Sequence, residues 1–256
     1  MINVTVCGAL GRMGKSVIGM VDRDPKTRLT GAVEGAGHAM LGKVIGGSVT
    51  ITDDLKSVIR KTGVVIDFST PESTVKNLSI AAKYKKPYVI GTTGFSEEDM
   101  KFIRKCAAAV PVALSANWSI GMNAIFNIAG SLASILYDYD VEIVEVHHNR
   151  KQDAPSGTAK RLAEEILKSR KESRLVYGRH GDSALRNQNE IGIHAVRLGG
   201  VIGDHTVTFG SDSERIEIVH RSQSRENFSA GAVMAAKWLA GRKPGLYDMK
   251  HVLGFK

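Results

Sequence analysis

The densest group of reactive side chains in the sequence lies between residues 145 and 159. It reads Glu-Val-His-His-Asn-Arg-Lys-Gln-Asp-Ala-Pro-Ser-Gly-Thr-Ala, and its pattern starts as a strand and ends as a helix. Histidine is the side chain best suited to donate a proton near neutral pH, which makes His147 and His148 candidate acids. Lysine stays charged unless it is buried, so Lys151 suits carboxylate binding or charge stabilisation. The segment therefore predicts proton donation and anion binding at one place.

The helix in this segment is expected to begin after Ser156, a residue type favoured at helix N-caps. Gly157 and Thr158 then carry backbone N–H groups without helical partners, which predict a carboxylate site. A metal site is a competing interpretation of the two histidines. Adjacent strand residues point to opposite faces, however, and no further metal-binding motif is present, so we expect no metal. A solvated basic loop is the other interpretation left open.

A glycine-rich turn follows the first predicted strand and opens the first predicted helix. Residues 8–14 read Gly-Ala-Leu-Gly-Arg-Met-Gly. One glycine permits the tight turn, a second lets the backbone approach a pyrophosphate, and a third allows close packing of helix on strand. The helix N-terminus then offers N–H groups to the phosphates of a dinucleotide. The predicted cofactor contacts in this turn are Gly8, Ala9, Leu10, Gly11, Arg12 and Met13.

A glycine turn alone is a weak signal, because many such turns only pack a helix against a strand. Glu34 strengthens it: this residue ends the second predicted strand at the distance where an acidic side chain takes ribose hydroxyls. Two later turns also follow strand ends, where ligands of open α/β sheets bind. These turns add Gly91, Thr92, Thr93, Ser115, Ala116, Asn117 and Trp118 to the predicted cofactor contacts. A tryptophan at such a position is also typical of a core.

The order of strand-like and helix-like segments predicts an α/β fold. Short strands and helices alternate through the first half, which indicates βαβ units and a parallel sheet covered on both faces. After about residue 118 the pattern changes to a long helix, a strand, a helix and three more strands, which predicts an α+β domain on one extended mixed sheet. We expect a Rossmann-like dinucleotide-binding domain at 1–117, a substrate-binding and oligomerisation domain at 118–227, and a C-terminal helix at 228–256 that packs back on the first domain.

Composition and charge limit the classes of partner. The 256 residues are 43% hydrophobic, and no apolar run reaches the length of a membrane span. The formal charge is +9, but the basic residues are scattered and aromatic residues make up only 6%. An anionic cofactor and substrate are therefore favoured over a nucleic acid. Cys7 and Cys106 form no disulfide or zinc motif and the start of the chain does not read as a signal peptide, so a cytoplasmic protein is expected.

Taken together, these motifs resemble those of the dihydrodipicolinate reductase family. The specific part is His-His-Asn-Arg-Lys-Gln-Asp-Ala-Pro-Ser-Gly-Thr at 147–158, supported by Gly-Thr-Thr-Gly-Phe at 91–95 and Ser-Ala-Asn-Trp-Ser-Ile-Gly-Met-Asn at 115–123. The resemblance covers essentially the whole chain. It implies an NAD(P)H-dependent reductase of a cyclic imine dicarboxylate in lysine biosynthesis. It also implies a homotetramer assembled through the sheets of the second domains.

The resemblance implies roles for single residues of the second domain. His147 would donate the proton that completes the reduction, and Lys151 would assist at the same site. His148, Gly157 and Thr158 would hold the carboxylates of the substrate. The glycine turn, Glu34 and the two later turns of the first domain would contact the dinucleotide.

Two positions depart from the family pattern. Many relatives carry a basic residue after the acidic one, where it can take the 2′-phosphate of NADPH; here Gly35 follows Glu34. We therefore expect a preference for NADH, with NADPH possible because Lys43 or His38 lies nearby in the sequence. The motif at the domain junction more often begins Ala-Pro, whereas here it begins Ser115-Ala116, and little consequence is expected.

Two other functions remain open from the residues alone. A semialdehyde dehydrogenase could share this two-domain plan, but it needs a nucleophilic cysteine, and Cys7 and Cys106 fall on a strand and late in a helix. A dinucleotide sensor without catalytic activity would need no proton donor. Replacing His147 would then leave its function unchanged.

Overall fold

The computed structural model describes residues 1–182 and 184–255. The chain divides into two compact units, Met1–Ile120 with Arg225–Lys256 and Gly121–Ser224. We refer to them as unit 1 and unit 2. None of the helices in the described ranges combines the length and the apolar character needed to cross a membrane.

The strands follow one another along both units. In chain order they are β1 (Ile2–Cys7), β2 (Thr27–Val33), β3 (Val44–Ile45), β4 (Val49–Thr52), β5 (Val64–Asp67), β6 (Tyr88–Ile90), β7 (Pro111–Leu114), β8 (Asp140–His147), β9 (Arg174–Tyr177), β10 (Glu190–Arg197), β11 (Asp204–Gly210), β12 (Arg215–Arg221) and β13 (Gly245–Tyr247).

The helices alternate with the strands in unit 1 and are fewer in unit 2. They are α1 (Arg12–Arg23), α2 (Leu55–Val58), α3 (Pro71–Lys83), α4 (Glu97–Ala107), α5 (Ile120–Ile135), α6 (Gly157–Leu167), α7 (Glu226–Leu239) and α8 (Met249–Leu253), with one 3-10 turn (Ile59–Lys61) after α2.

Unit 1 is built on a sheet with the strand order β13-β7-β6-β5-β1-β2-β4-β3. Neighbouring strands pair in parallel, except that β3 pairs antiparallel with β4. Every residue of β5 and β6 is buried, as expected for central strands that helices cover on both faces. The expected Rossmann-like parallel sheet is confirmed. The carboxyl ends of β1, β2, β5 and β6 lie at one edge, which is the edge where open α/β sheets generally bind ligands.

The C-terminal helix α7 belongs to unit 1. It packs against α1, where the hydroxyl oxygens of Ser16 and Ser229 lie 2.9 Å apart. Its small residues allow a close approach: a methyl group at Gly231 would lie 1.7 Å from the carbonyl oxygen of Trp118. The interior of α7 therefore contributes to the core under the parallel sheet.

Unit 2 contains a mixed sheet with the order β12-β11-β8-β10-β9. The central strand β8 pairs in parallel with β10 and antiparallel with β11. Residues 141, 143, 145 and 147 of β8 point to one buried face, where Val141 and Ile143 pack against Leu162 and Ile166 of α6. The expected single mixed sheet is confirmed. On this face the first residues of β8 are apolar and belong to the core, and the last two are the polar residues Glu145 and His147.

Candidate active site

The glycine turn of unit 1 has little freedom to accept any other residue. Gly8 has a φ of 70°, and a methyl group there would lie 2.5 Å from the carbonyl oxygen of Phe68. A methyl group at Gly14 would lie 2.0 Å from the carbonyl oxygen of Gly8. These close backbone approaches fold the start of α1 against the end of β1. The turn is therefore shaped as dinucleotide-binding turns require.

The turn opens onto a cleft of about 320 Å³. Glu34 at the end of β2 faces this cleft, and its Oε2 accepts a hydrogen bond of 2.8 Å from the backbone N–H of Leu10. Its Oε1 accepts a second bond, of 2.9 Å, from Gly35 N–H. Gly11 and Gly35 contribute no side chain, and a methyl group at Gly35 would meet nothing within 4 Å. Asp53 is the second carboxylate that lines the cleft. A cleft walled by glycine with a carboxylate at the strand end suits a ribose and its phosphates.

The predicted turn at Gly91–Thr93 lies against a second turn that follows β5. The Oγ1 of Thr92 accepts hydrogen bonds from Ser69 N–H at 3.1 Å and from the hydroxyl of Thr74 at 2.9 Å. Gly91 lies under Phe68, whose ring a methyl group there would overlap. The structure thus brings together the glycine turn and the turns after β5 and β6.

Sequence reasoning missed the contribution of the turn after β5. Ser69 and Thr70 line the cleft together with Ser73, Asn77 and Lys76 of α3. Thr70 is also the N-cap of α3. The rule that ligands bind at the carboxyl ends of parallel strands would have identified this turn, because it follows β5 directly.

The turn at Ser115–Trp118 follows β7 and is held by its own hydrogen bonds. The hydroxyl of Ser115 donates to the carbonyl oxygen of Asn117 at 2.7 Å, and the side chain of Asn117 accepts from Ser119 N–H at 2.8 Å. Trp118 is buried, and its indole N–H donates to the carbonyl oxygen of Ile90 at 3.3 Å. The indole of Trp118 therefore packs in the core of unit 1, as a tryptophan commonly does, and only its backbone lies in the turn.

In unit 2 the histidine predicted as proton donor lies at the end of β8. His147 is buried, and its Nδ1 lies 2.5 Å from Oε2 of Glu145, two residues earlier on the same face of the strand. Its Nε2 points towards Gly203, where a methyl group would lie only 2.9 Å away. One ring nitrogen is thus held by a carboxylate, and the other points to a place without a side chain.

Three further residues join this pair from neighbouring parts of unit 2. Arg197 of β10 donates to both oxygens of Glu145, at 2.9 Å each. The backbone N–H of Ser156 donates to Oε1 of the same carboxylate at 3.0 Å. His205 of β11 lies edge-on to His147, with ring centroids 5.2 Å apart, and its Nε2 lies 3.1 Å from the Ser156 hydroxyl. We define these five residues as the histidine cluster.

Within the histidine cluster, the pKa values of Glu145 and His205 are shifted by different causes. Burial by itself would raise the pKa of Glu145, but hydrogen bonds from Arg197, His147 and Ser156 N–H outweigh it, and the pKa is lowered. Burial and the nearby His147 lower the pKa of His205 to about 3. At neutral pH Glu145 is therefore ionised and His205 is uncharged.

The remaining predicted residues of unit 2 lie in the loop after β8 and at the start of α6. The Nζ of Lys151 donates to Asp153 Oδ1 at 2.7 Å, and Arg197 donates to the carbonyl oxygen of Asp153 at 2.7 Å. His148 is half-buried and directly follows the last residue of β8. Gly157 and Thr158 form the first turn of α6.

The start of α6 is capped as predicted. The hydroxyl of Ser156 accepts a hydrogen bond of 3.1 Å from Ala159 N–H. Gly157 is exposed, and a methyl group there would meet no atom of the chain within 4 Å. The backbone at Gly157, where α6 begins, is therefore exposed to solvent next to Ser156 of the histidine cluster.

Sequence reasoning missed two members of the histidine cluster and underestimated a third. Glu145 was within the quoted segment but had no role, although its spacing of two residues from His147 places both on one strand face. Arg197 had not been singled out. His205 received no role from the sequence, but it is buried and its ring contacts the predicted proton donor.

Both halves of the chain match descriptions of one protein family. Residues 2–118 match the model for dihydrodipicolinate reductase, N-terminus, and residues 121–253 match the model for its C-terminus. The chain belongs to the dihydrodipicolinate reductase family. This family comprises pyridine-nucleotide-dependent reductases of lysine and diaminopimelate biosynthesis, and the resemblance found in the sequence is confirmed.

Relatives of this family are similar to the chain over its full length. The 4-hydroxy-tetrahydrodipicolinate reductases of Geotalea daltonii and Syntrophus aciditrophicus are each 44% identical to it over 267 aligned positions, which cover 100% of both chains. Among solved structures, dipicolinate-bound dihydrodipicolinate reductase from Paenisporosarcina sp. TG-14 aligns with a TM-score of 0.82 at 26% identity. That alignment covers 98% of this chain and 99% of the other.

Proposed function

We propose that this chain reduces 4-hydroxy-tetrahydrodipicolinate to tetrahydrodipicolinate with NADH or NADPH, on the diaminopimelate route to lysine. The observation that carries the proposal is the buried Glu145–His147–Arg197 contact next to the start of α6, where Gly157 is exposed. The contact provides a proton donor, and the helix provides an anion site. Relatives of the same length that bear the name of this reductase support it.

His147 is the proposed proton donor of the reaction, and Lys151 is proposed to assist it. Since Nδ1 of His147 is bonded to Glu145, Nε2 is the atom that can pass a proton to a substrate. Lys151 brings a positive charge to the same loop, where it suits the charge that develops during reduction. General acid catalysis of this kind typically contributes about 10²–10⁴-fold to the rate.

His148, Gly157 and Thr158 are proposed to hold the carboxylates of the substrate. Nothing in the chain itself requires a glycine at 157, because a side chain there would meet open space. A bound carboxylate would require this glycine, because the carboxylate must come close to the backbone N–H groups of the first helical turn. The dipicolinate bound by the Paenisporosarcina relative is a dicarboxylate of this kind and supports the assignment.

Unit 1 is proposed to bind the dinucleotide through Gly8–Met13, Glu34, Gly91–Thr93 and the turn at Ser115–Trp118. When bound, NAD(P)H supplies the hydride. The glycine turn and the N-terminus of α1 would hold the pyrophosphate, and Glu34 would accept hydrogen bonds from the ribose hydroxyls. The turns after β6 and β7 would orient the rest of the cofactor.

NADH is proposed to be preferred over NADPH. The carboxylate of Glu34 faces the cleft, and Gly35 offers no positive charge beside it. A 2′-phosphate would be repelled by this carboxylate. Lys76 lines the same cleft and provides the charge that would still allow NADPH to bind.

A homotetramer in the cytoplasm is proposed for the assembly and its location. The outer face of the sheet of unit 2 carries Val144, Val146, Val196 and Val219, which lie on strands that pair with one another or with β11. Val196 and Val219 are 40% and 44% exposed. An apolar sheet face of this kind supports assembly through the sheets. The buried free thiols of Cys7 and Cys106 suit a reducing compartment.

The test is a coupled assay on the purified chain. Pyruvate, aspartate semialdehyde and the preceding synthase generate the unstable substrate, while NADH and NADPH consumption are followed in parallel. We expect oxidation that depends on the synthase and is faster with NADH at equal concentrations. Measurable NADH binding without oxidation would contradict the reductase and leave a dinucleotide sensor, and a faster rate with NADPH would contradict only the role given to Glu34.

A further inference from the structure

Glu145 has more hydrogen-bond partners than a residue that merely fills the core would need. Its side chain is fully buried, and it accepts from Arg197 on both oxygens. Oε2 also binds Nδ1 of His147 at 2.5 Å, and Oε1 also accepts from Ser156 N–H at 3.0 Å. A buried carboxylate with two partners on each oxygen is held in one orientation and kept ionised.

The contact with Glu145 determines which nitrogen of His147 is available. A carboxylate accepts hydrogen bonds and cannot donate one while it is ionised, so Nδ1 of His147 must carry a proton in both charge states of the ring. The second proton then resides on Nε2. That atom faces Gly203, whose backbone passes close by without a side chain that would cover the ring.

We propose that Glu145 is the positioning residue of the proton donor: it fixes the ring of His147 with Nε2 directed to the substrate and stabilises the imidazolium that donates the proton. This inference rests on the role proposed for His147. Arg197 completes the arrangement, because its guanidinium neutralises Glu145 and so keeps the buried carboxylate from taking a proton itself.

The groups around His147 come from every element packed against it. They are Glu145 on β8, Arg197 on β10, His205 on β11 with its cross-strand partner His220 on β12, and Lys151 with Asp153 in the loop before α6. The low pKa of His205, about 3, leaves that ring uncharged and unable to compete for the negative charge. The pKa of His220 is also lowered, chiefly by burial. Lys151 is paired with Asp153. Glu145 is thus the carboxylate that contacts His147 directly.

The first experiment measures kcat across pH for the parent chain, Glu145→Gln and Glu145→Asp in the coupled assay. The neutral amide of Glu145→Gln removes the charge that favours the imidazolium, and we expect kcat to fall about 10- to 100-fold. The pH at which activity declines on the alkaline side should move down by about one unit. Glu145→Asp keeps the charge, so its alkaline limb should stay near that of the parent even though its kcat is lower.

Glu142 on the same strand provides a matched control. It also binds an arginine and a histidine: Arg179 at 2.8 Å and His194 Nε2 at 2.7 Å. Glu142→Gln therefore removes the same kind of group from the same strand without touching the histidine cluster. We expect Glu142→Gln to change thermal stability but to leave the alkaline limb of kcat where the parent has it.

A second measurement does not depend on turnover. In protein labelled with ¹⁵N-histidine, long-range ¹H–¹⁵N spectra at alkaline pH report which nitrogen of neutral His147 carries the proton, with the signals assigned through their loss in His147→Gln. We expect the Nδ1-protonated tautomer in the parent chain. Glu145→Gln should convert it to a mixture, because an amide can donate as well as accept.

The two measurements separate failure of this inference from failure of the proposed function. A parent chain without turnover contradicts the reductase, and the tautomer of His147 still tests Glu145. An active parent chain whose alkaline limb is unchanged in Glu145→Gln overturns the positioning role. A parent chain in which neutral His147 carries its proton on Nε2 overturns it as well, even if Glu145→Gln fails to fold.

Discussion

Each unit of the molecule has a buried carboxyl group at its candidate site, and these two groups accept hydrogen bonds from donors of different charge. Asp67 of unit 1 is fully buried and accepts from neutral donors: Ser69 N–H at 2.8 Å, the Ser69 hydroxyl at 2.6 Å and the hydroxyl of Tyr88. Glu145 of unit 2 is equally buried, but it accepts from the guanidinium of Arg197 and from the ring of His147. The difference lies in the charge of the donors.

The pKa values of the two carboxyl groups follow from these donors. Burial raises the pKa of Asp67, and the hydrogen bonds from Ser69 and Tyr88 offset this only in part. Burial also opposes ionisation of Glu145, yet the bonds from Arg197 and His147 lower its pKa. Neutral donors suit a carboxyl group with a structural role. Asp67 holds the turn at Ser69, whose N–H also donates to Thr92. A cationic donor suits a carboxyl group that must stay negative beside a proton donor.

The largest expected effect is on kcat, because we assign proton donation to the histidine cluster alone. His147→Ala should lower kcat by about 10²–10⁴-fold, because the acid is removed. The dissociation constant of NADH, measured by fluorescence titration, should stay close to that of the parent. His194→Ala is the control, since His194 contacts Glu142 rather than Glu145. An equal loss of NADH affinity in His147→Ala would contradict the separation of roles between the two units.

Removing the cation next to Glu145 should have the largest effect on stability. Arg197→Met leaves a buried carboxylate without its guanidinium, and we expect the free energy of unfolding to fall by about 3 kcal/mol, measured by urea denaturation at pH 7. Arg23→Met removes one partner of an exposed pair with Glu226 and should cost less than about 1 kcal/mol. Equal losses in the two variants would show that Arg197 does not compensate Glu145.

As the pH is lowered, the free energy of unfolding should fall first because of His205, before the carboxyl groups titrate. The pKa of His205 is about 3 in the folded chain, below the value of 6.5 that applies when it is unfolded. As the pH falls through 6.5 the unfolded chain binds a proton that the folded chain does not, so stability is lost. His205 should account for about 2 kcal/mol of the loss between pH 8 and pH 5.

His205→Asn checks this pH dependence. Urea denaturation at pH 8 and pH 5 should give a smaller difference for the variant than for the parent. The pKa of Glu145 is lowered below its usual range, so its own titration falls outside this interval. The same difference in both chains would rule out a neutral, buried His205 as the source.

The smallest effect is expected at the carboxyl group with neutral donors. Tyr88→Phe removes one hydroxyl from Asp67 and should lower the free energy of unfolding by about 1 kcal/mol at pH 7. Ser69 still donates two hydrogen bonds to Asp67 in this variant, so the carboxyl group keeps polar partners. A loss as large as that of Arg197→Met, in the same urea experiment, would remove the distinction between the two carboxyl groups.

Much of the fold could be read from the sequence because local patterns decide it. β6 and β7 are continuous apolar runs, and α7 begins at Glu226, two residues before the start predicted for the C-terminal helix. The strands β3, β4, β9 and β13 were not predicted. They are two to four residues long, and pairing with a neighbouring strand decides whether such short segments are extended.

The candidate site was predictable where its residues follow one another in the chain. His147, Lys151 and the start of α6 belong to one segment, and the strand period already placed Glu145 on the face of His147. Arg197 and His205 are brought to this face by the pairing of β8 with β10 and β11, a register that no local pattern contains. Ser69 and Thr70 reach the cleft of unit 1 in the same way, through the position of β5 beside β1.

The hydrogen bond from Leu10 N–H to Glu34 has a consequence for how quickly a dinucleotide is captured. It ties the glycine turn to the end of β2 through groups of the protein itself. The turn therefore loses little conformational entropy when a nucleotide arrives, and more of the contact energy remains as affinity. Association should then be limited by diffusion into the cleft and not by the ordering of the loop.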